Sequence, residues 1–249
     1  MSSALDAQLT GLPARLAEVQ ARVQAAAWAA GRTATEVTLV AVSKGHPAAA
    51  VRAAYAAGQR DFGENYVQEW LPKRAELADL PDLRWHLLGH LQRNKVKLVM
   101  GQVHLFHAVD DMLGLDEMAR VAHAQGVSQD VLLQVNLAAE DQKRGCGEDD
   151  AELFVDVLLR SPGLRLQGLM LLPPAEGDPQ PWFERLRRLA DELKQTTAGR
   201  PGAPARWLLS MGMSGDFEQA IAAGATHVRV GTAIFGERAG REVQPSERR

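Results

Sequence analysis

Thr38-Leu-Val-Ala-Val-Ser-Lys-Gly-His-Pro47 decides the fold: an apolar strand over Thr38–Ser43, a short turn carrying Lys44, and a helix over 47–57 opened by Pro47. The same pattern recurs along the chain. Further apolar runs at Arg60–Gly63, Trp85–Gly89, Leu105–Val109, Val131–Leu137, Leu164–Leu172, Trp207–Met211 and His227–Gly231 bring the strands to eight. Helical stretches near 64–78, 91–100, 111–125, 149–160, 180–197 and 215–223 separate them, several opened by Pro, Asp or Ser and closed by Gly. Strand then helix, repeated, means parallel pairing. Ahead of the first strand, Leu5, Leu9, Leu12, Leu16, Val19, Val23 and Ala26 keep three- or four-residue spacing up to Gly31, which predicts an amphipathic helix over 4–30.

Eight βα units over roughly 210 residues, led by one extra helix, fit an α/β fold of the modified (β/α)8 TIM-barrel type. An open doubly wound sheet with fewer strands is the alternative, because the run Arg60–Gly63 is short and partly polar. The chain has 249 residues and no composition shift along its length. One barrel domain over 1–238 is therefore expected, with a polar, disordered tail at 239–249.

A net charge of −3 creates no global attraction for nucleic acid or an anionic bilayer. The single cysteine, Cys146, excludes internal disulfides and C-x-x-C metal or redox motifs. With no signal-peptide pattern and no apolar run long enough to span a membrane, a cytoplasmic location is expected.

Lys44 ends the first strand, and in a barrel that end opens on the active-site face, where burial can make an amine nucleophilic. Leu208-Leu-Ser-Met-Gly-Met-Ser-Gly-Asp216 and His227-Val-Arg-Val-Gly-Thr-Ala-Ile-Phe-Gly236 place two small-residue turns after strands seven and eight, where this fold gathers phosphate sites. A lysine beside a phosphate cradle suits a ligand joining an aldehyde to a phosphate, such as pyridoxal 5′-phosphate. A sugar-phosphate aldolase would need the same anchors plus acid/base carboxylates. Taken singly, Lys44 reads as a surface lysine, Ser214 and Asp216 as helix caps, and Arg229 as half of an interior ion pair.

Val40–Pro47, Phe62-Gly-Glu-Asn-Tyr-Val-Gln-Glu69, Trp85-His-Leu-Leu-Gly-His-Leu-Gln-Arg-Asn-Lys95, Gly168-Leu-Met170, Leu209–Ser214 and Val228–Gly236 together resemble the pyridoxal phosphate homeostasis protein family, also called YggS-like or proline synthase co-transcribed. The resemblance runs from about residue 10 to residue 238. It implies a barrel similar to the N-terminal domain of alanine racemase that binds pyridoxal phosphate as a lysine aldimine and serves its homeostasis as a carrier or buffer, without turnover. Apo-enzymes that receive the cofactor are the implied partners.

By motif position the resemblance makes Lys44 the Schiff-base lysine. It gives Ser210, Met211, Gly212 and Ser214, with Gly231 and Thr232, to the phosphate, and Arg229 to the pyridine nitrogen. A guanidinium keeps its proton and can only donate to an unprotonated ring nitrogen, which makes the ring a poor electron sink. Asn65 is a further candidate for contact with the cofactor.

The alternative is an amino-acid racemase using the same cofactor. Two-base racemisation needs a second acid/base, a tyrosine that alanine racemase draws from a C-terminal β domain. Here 13 residues follow Gly236, and the only tyrosines are Tyr55 and Tyr66. Without that β domain's dimer contact, a monomer is expected. A scaffold that uses the cofactor only for its own stability is a third possibility.

Lesser candidates are His86 and His90, bracketing the end of strand three, the rim run Gln92–Lys95, Asn136, and Lys143 in a Lys-Arg-Gly loop. Position 46 departs from the family, with His46 where a second lysine is common. No metal site is expected: His104 and His107, three apart on a strand, read as facing opposite ways, with no carboxylate in ligand spacing to either.

Overall fold

The computed structural model describes residues 9–140 and 142–237. The first turns of the predicted opening helix, around Leu5, and the 239–249 tail lie outside them. Eight parallel strands close a barrel in sequence order, each hydrogen-bonded to the next and β8 to β1, so the open-sheet alternative does not hold.

The strands are β1 Thr38–Val42, β2 Asp61–Glu64, β3 Arg84–Leu87, β4 Leu105–Val109, β5 Gln129–Val135, β6 Leu164–Leu171, β7 Leu208–Ser210 and β8 His227–Val230. The helices are α1 Leu12–Ala29, α2 Ala48–Ala56, α3 Val67–Glu76, α4 Val96–Val99, α5 Met112–Gln125, α6 Ala151–Arg160, α7 Gln180–Thr196, α8 Phe217–Ala222 and α9 Thr232–Phe235.

The boundaries follow local chemistry. Asp111 accepts from the Gly114 amide at 2.7 Å and caps α5, and Gly126 ends it at φ 64°, a left-handed turn that glycine adopts without strain. The helix expected at 91–100 is shorter than predicted. Gln92 stays extended, and a single 3-10 turn at Arg93–Lys95 precedes α4.

The polar run of β2 forms a strand because its carboxylates are matched. Asp61 accepts from Arg84 Nε and Nη2 at 2.7 and 2.6 Å, and Glu64 accepts from Ser43 Oγ and Lys73 Nζ at 2.7 and 2.6 Å.

The apolar face read from the sequence of α1, Leu12, Leu16, Val19 and Val23, is buried. This helix packs against α2, α8 and α9, with Arg15 Nε donating to the Ile234 carbonyl at 2.8 Å. Among the described residues a single turn of helix follows β8, and α1 packs over it on the outside of the barrel.

Most apolar burial lies between strands and helices, in one cluster running from Leu12 to Phe235. The space inside the barrel is divided. Leu105, Leu132 and Met170, with Leu172 and Leu208 against them, fill one side. The other side is polar: Asp61, His86, His107, Ser210, His227 and Arg229 are all buried.

This corrects the expectation for His104 and His107. His104 precedes β4 instead of lying on it, and both rings lie against His86, at centroid distances of 5.4 and 5.1 Å. The carboxylate that spacing did not reveal arrives from β2, since Asp61, His86 and His104 bring ligand-type atoms within 4.8 Å of one another. Asp61 is committed there to Arg84 and His86 through hydrogen bonds of 2.6 to 3.0 Å.

Candidate functional site

At the C-terminal mouth of the barrel, β1, β2, β6 and β8 and the turns after β7 and β8 enclose a cavity of about 370 Å³, within the size range of small-ligand sites. Its lining brings together Lys44, Asn65, Ser214, Arg229, Gly231 and Thr232, all expected from the sequence. Leu88, Met170 and Leu172 form its apolar wall, and Val42, His46, Met213, Gly215 and Gly236 complete it.

The pairing of Val40 with Arg229 sets the end of β1 beside the end of β8, which is why Lys44 and Gly231 share one rim. His46, at the departure from the family pattern, is buried with its ring stacked on Phe235 at 5.2 Å.

The turn after β7 winds tightly. Gly212 has φ 91°, and a Cβ there would lie 2.6 Å from that of Ala220 and 3.0 Å from Phe217 Cα, so no other residue fits without displacing α8. Asp216 Oδ1 accepts from the Met213 amide at 2.5 Å, and Ser214 Oγ accepts from the Gly231 amide at 3.4 Å, joining the two turns. The amides of Ser214, Gly215, Thr232 and Ala233 find no acceptor among the described residues. Four donors and two hydroxyls at adjoining turns form an anion cradle.

Arg229 is 4% exposed. Its Nη1 donates to Ser210 Oγ at 2.6 Å and its Nη2 to the Leu171 carbonyl at 2.9 Å, leaving three of its five donors over. Among the described residues no carboxylate pairs with it, so it is not the interior ion pair of the alternative reading. Burial pulls its pKa down to about 10, and it remains a cation at neutral pH.

Three expected phosphate residues lie elsewhere. Ser210 points into the barrel and bonds Arg229 and His107. Met211 is buried in the outer core, where its amide donates to the His227 carbonyl at 3.1 Å, and the Gly212 carbonyl accepts from the Arg229 amide at 2.9 Å. These two set the backbone of β8 without lining the cavity.

Of the lesser candidates, His90, Asn136 and Lys143 lie outside the cavity lining. His90 bonds Asp110 at 2.8 Å, and Asn136 Nδ2 donates to the carbonyls of Glu140 and Lys143, closing its own loop. Lys143 Nζ donates to the Pro173 carbonyl at 2.7 Å and pairs with Glu140. Tyr55 bonds Asp82 and Tyr66 is exposed, so neither lines the cavity.

The residues fit pyridoxal phosphate on structural grounds: a primary amine at one rim, unpartnered amides for a phosphate, and a buried guanidinium with donors left for a ring nitrogen.

Comparison with known proteins agrees with this fit. The sequence profile of the alanine racemase N-terminal domain matches residues 15–239. A Pseudomonas aeruginosa protein named pyridoxal phosphate homeostasis protein is 44% identical over 90% of this chain and 94% of its own. The structure of PipY from Synechococcus elongatus with PLP bound superposes with a TM-score of 0.78, 39% identity, and coverage of 90% of this chain and 100% of that one. Alanine racemase from Streptomyces coelicolor shares the fold, with a TM-score of 0.66 at 24% identity over 88% of this chain and 58% of that one. With its sequence and its barrel matched to relatives over nine-tenths of its length, the chain belongs to the pyridoxal phosphate homeostasis protein family, built on the alanine racemase N-terminal domain.

Proposed function

We propose that the protein holds pyridoxal 5′-phosphate for intracellular pyridoxal phosphate homeostasis, as a carrier or buffer without catalytic turnover. One observation carries this: Lys44, Arg229 and the Ser214/Gly231/Thr232 turns line a single cavity of about 370 Å³. When bound, the cofactor brings an aldehyde that condenses with a primary amine and a phosphate that anchors it.

Lys44 supplies the amine from the end of β1, and the free amides and hydroxyls of the two turns hold the phosphate. Arg229 donates to the ring nitrogen and keeps it unprotonated, because a buried guanidinium does not yield its proton. Leu88, Met170 and Leu172 give the cavity an apolar wall for the ring. Asn65 stands at the rim beside Lys44 as an orienting contact.

The racemase alternative needs a second acid/base over the site. Among the described residues no tyrosine lines the cavity, which supports holding over turnover. The protein acts as a monomer in this reading, with apo-enzymes as recipients.

The test is to load the purified protein with pyridoxal phosphate, reduce with borohydride and map the modified peptide. The expected product is a single label on Lys44 that Lys44→Ala abolishes. Failure to take up the cofactor, or labels scattered equally over surface lysines, overturns the proposal. Robust conversion of L-alanine to D-alanine by the loaded protein would replace the carrier with the racemase.

A further inference from the structure

An unbroken chain of buried hydrogen bonds crosses the barrel interior from the cavity to the opposite mouth. Arg229 Nη1 meets Ser210 Oγ at 2.6 Å, and Ser210 Oγ meets His107 Nδ1 at 2.8 Å. His107 Nε2 meets His86 Nδ1 at 2.9 Å, and His86 Nε2 meets Asp61 Oδ1 at 3.0 Å. Five strands contribute one residue each, so no local sequence feature creates the chain.

Its polarity is fixed at both ends. Arg229 has only donors and ionised Asp61 only acceptors. Starting from Arg229, Ser210 accepts and must pass its own hydrogen to His107 Nδ1. His107 then carries its proton on Nε2 and donates to His86 Nδ1, and His86 carries its proton on Nε2 and donates to Asp61. Every link is satisfied with both imidazoles neutral in the same tautomer. A proton added to His86 would break this order: His107 would have to accept at Nε2 and donate from Nδ1, and Ser210 would then face two donors.

The other charged and titratable groups around the chain are accounted for. His227 lies 6.0 Å from the His86 ring and 5.9 Å from that of His107, but its Nδ1 bonds Thr226 Oγ1 at 3.0 Å. His104 stands exposed at the lower mouth beside His86, and Arg84 grips Asp61 through two hydrogen bonds. Asp216 acts on Arg229 through space from the β7 turn.

We propose that Asp61, His86, His107 and Ser210 are positioning residues that hold the Arg229 guanidinium at the ring end of the cofactor site, with Asp61 at the far mouth setting the direction of every donor. The proposal rests on the cofactor reading above for what Arg229 faces. It assigns a binding role to four residues that do not line the cavity.

Two measurements test it. In the cofactor-free protein labelled with 15N-histidine, two-bond proton–nitrogen spectra at neutral pH should show both His86 and His107 as neutral Nε2–H tautomers. An Nδ1–H or cationic His107 overturns the relay. Titration with pyridoxal phosphate, followed by absorbance, is then compared among wild type, His107→Leu and His107→Gln. Glutamine can accept from Ser210 and donate to His86, whereas leucine can do neither.

The expected result is roughly a tenfold loss of affinity for His107→Leu, the scale of one charge-supported hydrogen bond, with His107→Gln within about threefold of wild type. Equal affinities for all three proteins, or equal losses in both variants, overturn the proposal. Should His107→Leu fail to fold, Ser210→Ala serves in its place, removing the link with little change of volume. It should weaken binding severalfold, and unchanged affinity overturns the proposal. A wild-type protein that takes up no pyridoxal phosphate would instead overturn the cofactor reading, while the tautomer measurement still decides whether the directed chain exists.

Discussion

Replacing Arg229 by methionine separates what this residue does for the fold from what it does for the ligand. The guanidinium is buried without a carboxylate partner among the described residues, and burial pulls its pKa from the ordinary guanidinium value down to about 10. At 1.36 kcal/mol per pH unit that difference is a folding penalty of ~3 kcal/mol. Because the folded value is the lower one, the penalty is fully present below about pH 10 and fades as the pH rises from there toward the ordinary guanidinium value. Methionine removes it, but also removes donors to Ser210 Oγ and the Leu171 carbonyl, each worth ~1.5–3 kcal/mol as charge-assisted hydrogen bonds. The terms oppose, so the cofactor-free variant should lose at most ~3 kcal/mol.

The ligand response has no such offset. At a concentration 100 times the dissociation constant, pyridoxal phosphate stabilises the native state by ~2.7 kcal/mol, which is a rise in melting temperature of roughly 5–11 °C at this chain length. Loss of one charge-assisted hydrogen bond to the ring weakens affinity by roughly 10- to 150-fold. The same ligand concentration then stabilises the variant by only ~0.3–1.4 kcal/mol. Thermal melts of both proteins with and without cofactor measure each quantity. An undiminished ligand-induced shift in Arg229→Met would refute the assignment of this residue to the cofactor, whatever its effect on the free protein.

Other expectations follow from the same geometry. Lys73 is the buried partner of Glu64, whose carboxyl burial pushes above the ordinary range and whose Oε2 has no hydrogen-bond partner. Lys73→Met should therefore cost ~3–5 kcal/mol in urea unfolding at neutral pH, less in acid where Glu64 protonates, and the double change Glu64→Leu/Lys73→Met should recover most of it. A double variant as unstable as the single one contradicts this. Gly212→Ala should destabilise by ~1–3 kcal/mol through its positive φ and the contact with Ala220, and chemical denaturation showing no change would mean the turn yields freely. The Cys146 thiol is buried and pushed up to about 12, so it should resist iodoacetamide in the native protein and react on unfolding; rapid native labelling would show the site opens.

The barrel was legible because each strand and helix carries its own period: the eight apolar runs all became strands, with ends shifted by a few residues at most. The shared placement of Lys44, Ser214, Gly231 and Thr232 at one mouth was legible for a related reason. In a parallel barrel every strand ends at the same mouth, so residues just past the strand ends meet whatever the register. Ser210, expected at the rim, lies inside its strand's end, where alternation decides between rim and interior, and its side chain turns inward to Arg229 and His107. The grouping of Asp61, His86 and His104 was invisible for another reason. Asp61 pairs in register with Arg84, two residues before His86 on the neighbouring strand, and nothing in the spacing of single residues encodes that pairing.

The polar side of the barrel interior also explains how an unpaired cation can persist there. Six interior positions hold Asp, His, Ser or Arg where leucine or valine would add apolar burial. A carboxylate placed directly against Arg229 would satisfy the guanidinium more strongly, and would occupy the donors that an acceptor in the cavity needs. Asp61 lies four hydrogen bonds away. Its negative charge closes the chain at the far mouth, where Arg84 already balances it, and leaves the upper end electropositive. The interior thus forgoes hydrophobic burial to keep one guanidinium oriented and unneutralised beneath the cavity that Lys44 also lines.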